Sequence, residues 1–161
     1  MDQITMLVTN IRTMYGTQGN YQGLDVASAY NLGIVPAIMV NVEEGEDDDP
    51  DTVTLTNPFK GDVEIGLINA VSGATVQASA TDGTATGFTL AYKGLPAEAC
   101  ISLATADFGS GAGSGFIGVK ANGATETAKK VGANEGKAYG MDAAITACQG
   151  NENSTVTWYF Y

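Results

Sequence analysis

The apolar positions near the start of the chain recur at spacings of three and four. Ile4, Leu7, Val8, Ile11, Met14 and Tyr15 stripe one face of a helix over residues 2–15, with Thr5, Thr9, Asn10, Arg12 and Thr13 on the other. Gly16 supplies a stop. No convincing cap precedes the stripe, which leaves two readings: a frayed first helix, or a helix that once continued upstream. Further on, Asp25 is placed to cap a brief helix through Asn31, with Gly33 as its stop. After Pro36, residues 37–42 read as a strand.

From residue 52 the period changes to two. Residues 52–56, 62–67, 75–78 and 87–92 alternate as strands, broken by the turn-like Asn57-Pro58-Phe59-Lys60-Gly61 and by Asp82-Gly83. Short loops between successive strands favour antiparallel pairing. Pro96 suits a first helical position, opening a helix over 97–106 with Cys100, Leu103 and Ala104 on one side. A glycine-serine run over 109–115 follows. It lacks the Lys-Ser/Thr and the succeeding helix of a phosphate-binding loop, so it reads as a surface loop before a strand at 116–120. Residues 141–148 suggest a short helix, and 155–161 a strand rich in aromatic and β-branched residues.

Composition narrows the function. One domain suits 161 residues, and 21 glycines with abundant threonine fit a β-rich fold with tight turns. The net charge of −11 repels phosphate, which argues against nucleic acid as a partner. The absence of histidine removes Ser-His-Asp and Cys-His catalysis and imidazole-ligated metals. Two cysteines cannot make a four-thiolate zinc site or an iron–sulfur cluster. No apolar run reaches the roughly 18 residues a bilayer span requires, so the chain as it stands reads as soluble, with no cofactor expected.

Seven of the 18 acidic residues fall within 43–51. The plain reading is a self-repelling surface loop. The sharper one is a calcium site using Asp47, Asp49 and Asp51, although the sixth-position glycine and distal glutamate of an EF-hand loop are missing. Cys100 and Cys148 lie 48 positions apart. They read either as two buried free thiols or as a structural disulfide. The disulfide is favoured because neither metal nor redox spacing is present, and it implies an oxidising compartment.

These pieces together resemble a type IVb pilin, closest to the major pilins of plasmid-type thin pili. The resemblance rests on the amphipathic first helix and on Asn57-Pro58-Phe59 with glycine close behind. Its most specific parts are the segment Leu95–Thr105 around Cys100 and the stretch from Cys148 to Tyr161. It implies an α+β fold of the pilin α/β-roll type: an N-terminal helix packed on an antiparallel sheet, with one disulfide bounding a variable region. Residues 1–161 then form a single globular domain in which 2–15 match the second half of the family's helix. The hydrophobic membrane half and its acidic residue are absent, so Met1 reads as an added start and the chain should fold without polymerising. The only membrane contact implied is through that missing segment.

The resemblance further implies a structural role rather than catalysis. Ile4, Leu7, Val8, Ile11 and Met14 would lock helix to sheet, and the subunit would polymerise with its own copies into an extracellular pilus, reached through inner membrane and periplasm. A host-cell surface receptor is a further expected partner. Lys129, Lys130 and Lys137 are candidates for pairing with acids on a neighbouring copy. Two alternatives stand beside this reading. One is a minor pilin or type II secretion pseudopilin. The other is a carbohydrate-binding adhesin module, with Trp158 and tyrosines stacking on sugars, although Trp158 in so strong a strand suits a core.

Overall fold

The computed structural model describes residues 2–48, 52–77, 83–106, 115–122, 138–150 and 152–161. Helix α1 (Asp2–Gly16) forms where the three-four stripe predicts it. Ile4, Leu7 and Ile11 are fully buried, and Val8 and Tyr15 nearly so. The expected stripe needs one correction: Met14 does not pack against the sheet but is 43% exposed. At roughly 100° per residue, position 15 returns to the centre of a face set by positions 4, 8 and 11, whereas position 14 falls at its margin. Tyr15 therefore takes the inward place.

Helix α2 (Val26–Asn31) is capped by Asp25, whose carboxylate accepts from the Ser28 amide at 2.7 Å. Gly33 follows in the left-handed region, with φ +69°. The strand expected over 37–42 is shorter at its start. Pro36 accepts from the Met39 amide at 2.9 Å, so Ala37–Met39 forms a 3-10 turn that buries Met39, and β1 covers only Val40–Glu43.

The remaining elements are β2 (Thr52–Thr56), β3 (Asp62–Ile68), β4 (Thr75–Val76), β5 (Gly87–Leu95), α3 (Ala97–Ala104), β6 (Phe116–Ala121), α4 (Met141–Cys148) and β7 (Ser154–Phe160). Pro96 stands just before α3 rather than in its first turn, and its carbonyl accepts from the Cys100 amide. The strands form one antiparallel sheet in the order β1-β2-β3-β5-β7-β6, with β4 paired to β3. The last strand is thus not at an edge; it lies between β5 and β6.

Alternation on these strands directs Phe88, Leu90 and Tyr92 of β5 and Val156, Trp158 and Phe160 of β7 into one core with the buried face of α1. Trp158 is fully buried, its ring meeting Tyr92 edge-on at 5.3 Å. Tyr21 bridges helix and sheet, 6.1 Å from Tyr15 and 4.8 Å from Phe88. The opposite face of the sheet carries a smaller apolar cluster of Ile68, Ala70, Ile117 and Tyr159.

Candidate functional site

Helix α1 is held along its flanks as well as beneath. Asn10 donates to the Ile34 carbonyl at 2.9 Å, which ties the helix to the segment after α2. Arg12 is the chain's one arginine. Its guanidinium lies against Gly115, where a Cβ would stand 2.7 Å from Cζ, so that glycine makes room for the side chain. Arg12 also hydrogen-bonds Tyr21. Burial raises the Tyr21 hydroxyl above its ordinary pKa, and the guanidinium opposes that rise. Tyr15 is raised in the same way by burial, with the Asp25 carboxylate adding to it. Beside Arg12 runs an open groove of about 520 Å³, floored by Val8 and Phe160 and rimmed by Thr5, Thr9 and Thr13. The outward face of α1 presents those three threonines with Met6 and Met14.

The second structural anchor lies in the same core as the buried face of α1, where α3 and α4 pack near β6 and β7. Cys100 on α3 and Cys148 on α4 are both fully buried and joined by a disulfide, with their Cα atoms 5.8 Å apart. Asn122, at the end of β6, adds a polar clamp that the sequence reading missed. With φ at +51°, its amide nitrogen donates to the Ala147 carbonyl at 2.8 Å and to the Ser154 hydroxyl at 3.2 Å. Its side-chain oxygen accepts from the Thr155 amide at 2.9 Å. One residue therefore fixes β6, β7 and the C-terminal turn of α4 beside the disulfide. The available signal was an asparagine directly after a strand and before a glycine, where the left-handed region is tolerated.

The third region is the β1–β2 hairpin with the turn that follows it. Asn57 is buried, and its side chain organises residues 57–61. The oxygen accepts from the Phe59 amide at 2.9 Å and the Gly61 amide at 3.2 Å, and the nitrogen donates to the Lys93 carbonyl at 2.9 Å. Lys60 takes φ +67° at the tip. Across the adjacent strands, Lys93 pairs with Glu64 at 2.7 Å.

Among the calcium candidates, Asp47 is exposed with φ +56°, while Asp49 and Asp51 lie outside the described residues. The same holds for Lys129, Lys130 and Lys137, for Asp82, and for residues 109–114 of the glycine-serine run. Trp158, offered as a stacking platform for sugars, faces the core and presents no surface. Among the described residues no three Cys, Asp or Glu side chains converge as metal ligands, and no helix is long and apolar enough to cross a membrane. What these residues build are open grooves and faces on a rigid, cross-linked frame, an arrangement suited to contact between macromolecules.

A family model described as bundlin matches residues 1–160 of the chain. The major structural subunit of the bundle-forming pilus of Escherichia coli O127:H6 (strain E2348/69 / EPEC) is 26% identical, over 99% of this chain and 74% of that protein. Two solved structures share the fold. The type IVb pilin from Salmonella typhi matches with a TM-score of 0.59 at 22% identity, over 95% of this chain and 91% of that one. TcpA, a type IV pilin from Vibrio cholerae El Tor biotype, matches with a TM-score of 0.56 at 14% identity, over 99% of this chain and 95% of that one.

Proposed function

The chain belongs to the bundlin family, and from that premise we propose that it is a structural pilin, a subunit that polymerises with its own copies into a type IVb pilus on the bacterial surface. The observation that carries this reading is the two-sidedness of α1. One face is fully buried at Ile4, Leu7 and Ile11, while Met6 stands 52% exposed on the other and Met14, at the margin between them, 43%. Burying one large aliphatic side chain contributes roughly 1.5–3 kcal/mol, so four or five on one stripe hold the helix firmly to the sheet. The outer face is then left for neighbouring copies.

On this reading residues 2–15 are the second half of a longer helix, and 1–161 form one globular domain mounted on it. The disulfide and the Asn122 clamp hold α3, α4 and the β6–β7 border together, so that load along a filament does not open the subunit. The role is structural and not enzymatic. The subunit passes through the inner membrane and periplasm, where the disulfide forms, and the assembled fibre meets a receptor on the host cell.

Electron microscopy of producing cells with an antibody to this domain tests the proposal. Labelling along the length of surface fibres supports it, with loss of the fibres when the gene is removed. Unlabelled fibres, or labelling at tips alone, would refute a major structural role.

A further inference from the structure

We propose that the β1–β2 hairpin forms a head-to-tail contact between copies of this chain, in which Phe59 and Lys60 at its root seat against the acidic tip of the next copy. The inference rests on the pilus-subunit reading and adds the residues that join one subunit to another.

The register of the hairpin separates two unlike surfaces. Val40 pairs with Leu55 and Glu43 with Thr52, so the tip beyond Glu43 and the root beside Val40 lie about 10 Å apart along the strands. The tip carries Glu43, Glu44, Glu46, Asp47 and Asp48, all exposed. The root carries Ile38, 80% exposed, and the turn that presents Phe59, 43% exposed, next to Lys60. Ile38, Asn41, Thr56 and Pro58 line a groove there of about 390 Å³.

Three features favour a second copy as the occupant. The root is already ordered: Asn57 holds the turn through both ends of its amide, so little freedom is lost on docking. Its charge is available, because the Lys60 ammonium has no ion pair among the described residues whereas Lys93 is paired with Glu64. A chain of net charge −11 meets its copies against general repulsion, so an unpaired cation beside exposed apolar side chains is a scarce point of complementarity.

Geometry then sets the mode of association. Two acidic tips repel, and the same carboxylates discourage edge-to-edge pairing of β1 with another β1. Complementary surfaces at opposite ends of one hairpin make a heterologous contact. Used once per copy, such a contact repeats along an axis, whereas a reciprocal tip-to-root pair would close as a two-fold dimer; covalent dimers in place of a ladder, from fibres carrying both Lys60→Cys and Glu46→Cys, overturn the head-to-tail mode.

The test uses cells producing the filament-forming protein. Lys60→Glu is expected to reduce fibre counts at least ten-fold, and combining it with Glu44→Lys and Glu46→Lys to restore them. Oxidised fibres carrying both Lys60→Cys and Glu46→Cys are expected to run as a ladder of multimers on non-reducing gels, while each single substitution leaves monomers. Unchanged fibre counts with Lys60→Glu, or doubly substituted fibres that stay monomeric, overturn the contact while leaving the pilus-subunit reading intact. Dimers from Lys60→Cys alone, or more fibres after Glu44→Gln and Glu46→Gln, overturn it as well. Should Lys60→Glu lower the melting temperature of the domain, the cysteine pair decides. If the unsubstituted protein yields no fibre containing this chain, the pilus-subunit reading itself fails.

Discussion

Gly61 lies directly against the backbone carbonyl of Lys93: a Cβ on residue 61 would stand 1.7 Å from that oxygen. The same carbonyl accepts from Asn57, so turn and strand are fitted together at one point. Gly61→Ala must therefore push the turn off β5 and break the Asn57 contact. A loss of about 3 kcal/mol or more is expected. In a domain of this size that lowers the melting temperature by roughly 6–12 °C. A thermal melt followed by circular dichroism within 2 °C of the unsubstituted protein would show that the turn can shift freely.

The disulfide closes a loop between residues 48 positions apart. Constraining the unfolded chain over that span is worth about 4 kcal/mol in the chain-entropy model. Replacing both Cys100 and Cys148 with alanine is expected to remove most of it, and dithiothreitol should lower the midpoint of a urea transition in the native protein alone. An equal response to reductant in both proteins would contradict a stabilising role for this bond.

Ile11 and Met14 sit three residues apart on α1 and should respond oppositely. Ile11 is fully buried, so Ile11→Ala is expected to cost about 2–5 kcal/mol through lost burial and the cavity left behind. Met14 is exposed, so Met14→Ala should stay within about 0.5 kcal/mol in denaturant unfolding while remaining free to alter filament assembly. Comparable losses of stability in the two variants would mean that the helix sits on the sheet in a different rotation.

Tyr92 gives stability an alkaline limit. Its hydroxyl is buried without a hydrogen-bond partner among the described residues, and burial pushes its pKa up to about 12. The folded state keeps the proton where the unfolded chain releases it near the usual 10. Stability is therefore fully present below about pH 10 and falls as pH rises from there toward 12, by roughly 2–3 kcal/mol. Tyr15 and Tyr21 are raised as well and act in the same direction. Tyr92→Phe should be neutral or stabilising by about 1 kcal/mol at pH 7, since it removes an unmatched polar atom, and should flatten the alkaline limb without abolishing it. Urea titrations at pH 7, 9, 10 and 11 measure both effects. A strong loss at pH 7 in the variant would reveal a partner for the hydroxyl.

Local rules made much of this fold legible. The stripe over 4–15, the Asp25 cap, the period-two strands around Leu55, Val63 and Leu90, and the inward Trp158 all follow from spacing and residue type. The sequence missed what depends on distant neighbours. Met14 and Tyr15 were indistinguishable by the three-four rule and are separated only by the exact rotation of the helix. Pro36 accepted a hydrogen bond that converted the start of a strand into a 3-10 turn. The insertion of β7 between β5 and β6 leaves no local mark, because strand order is a property of the whole chain. Asn122 illustrates the same limit for the site: its three partners, Ala147, Ser154 and Thr155, lie 25–33 positions away.

The placement of β7 governs when the sheet can be completed during synthesis. Residues 154–160 follow every other strand of the described residues, yet β5 and β6 meet only through them. Until they arrive, β5 is the bare border of a partial sheet and β6 is a strand without its partner, a state prone to sticking to its neighbours. Proteolytic trimming of those few residues would recreate that state in a finished molecule. Closure of the fold thereby depends on one strand that is paired along both of its edges, so a product lacking it leaves β5 and β6 open together.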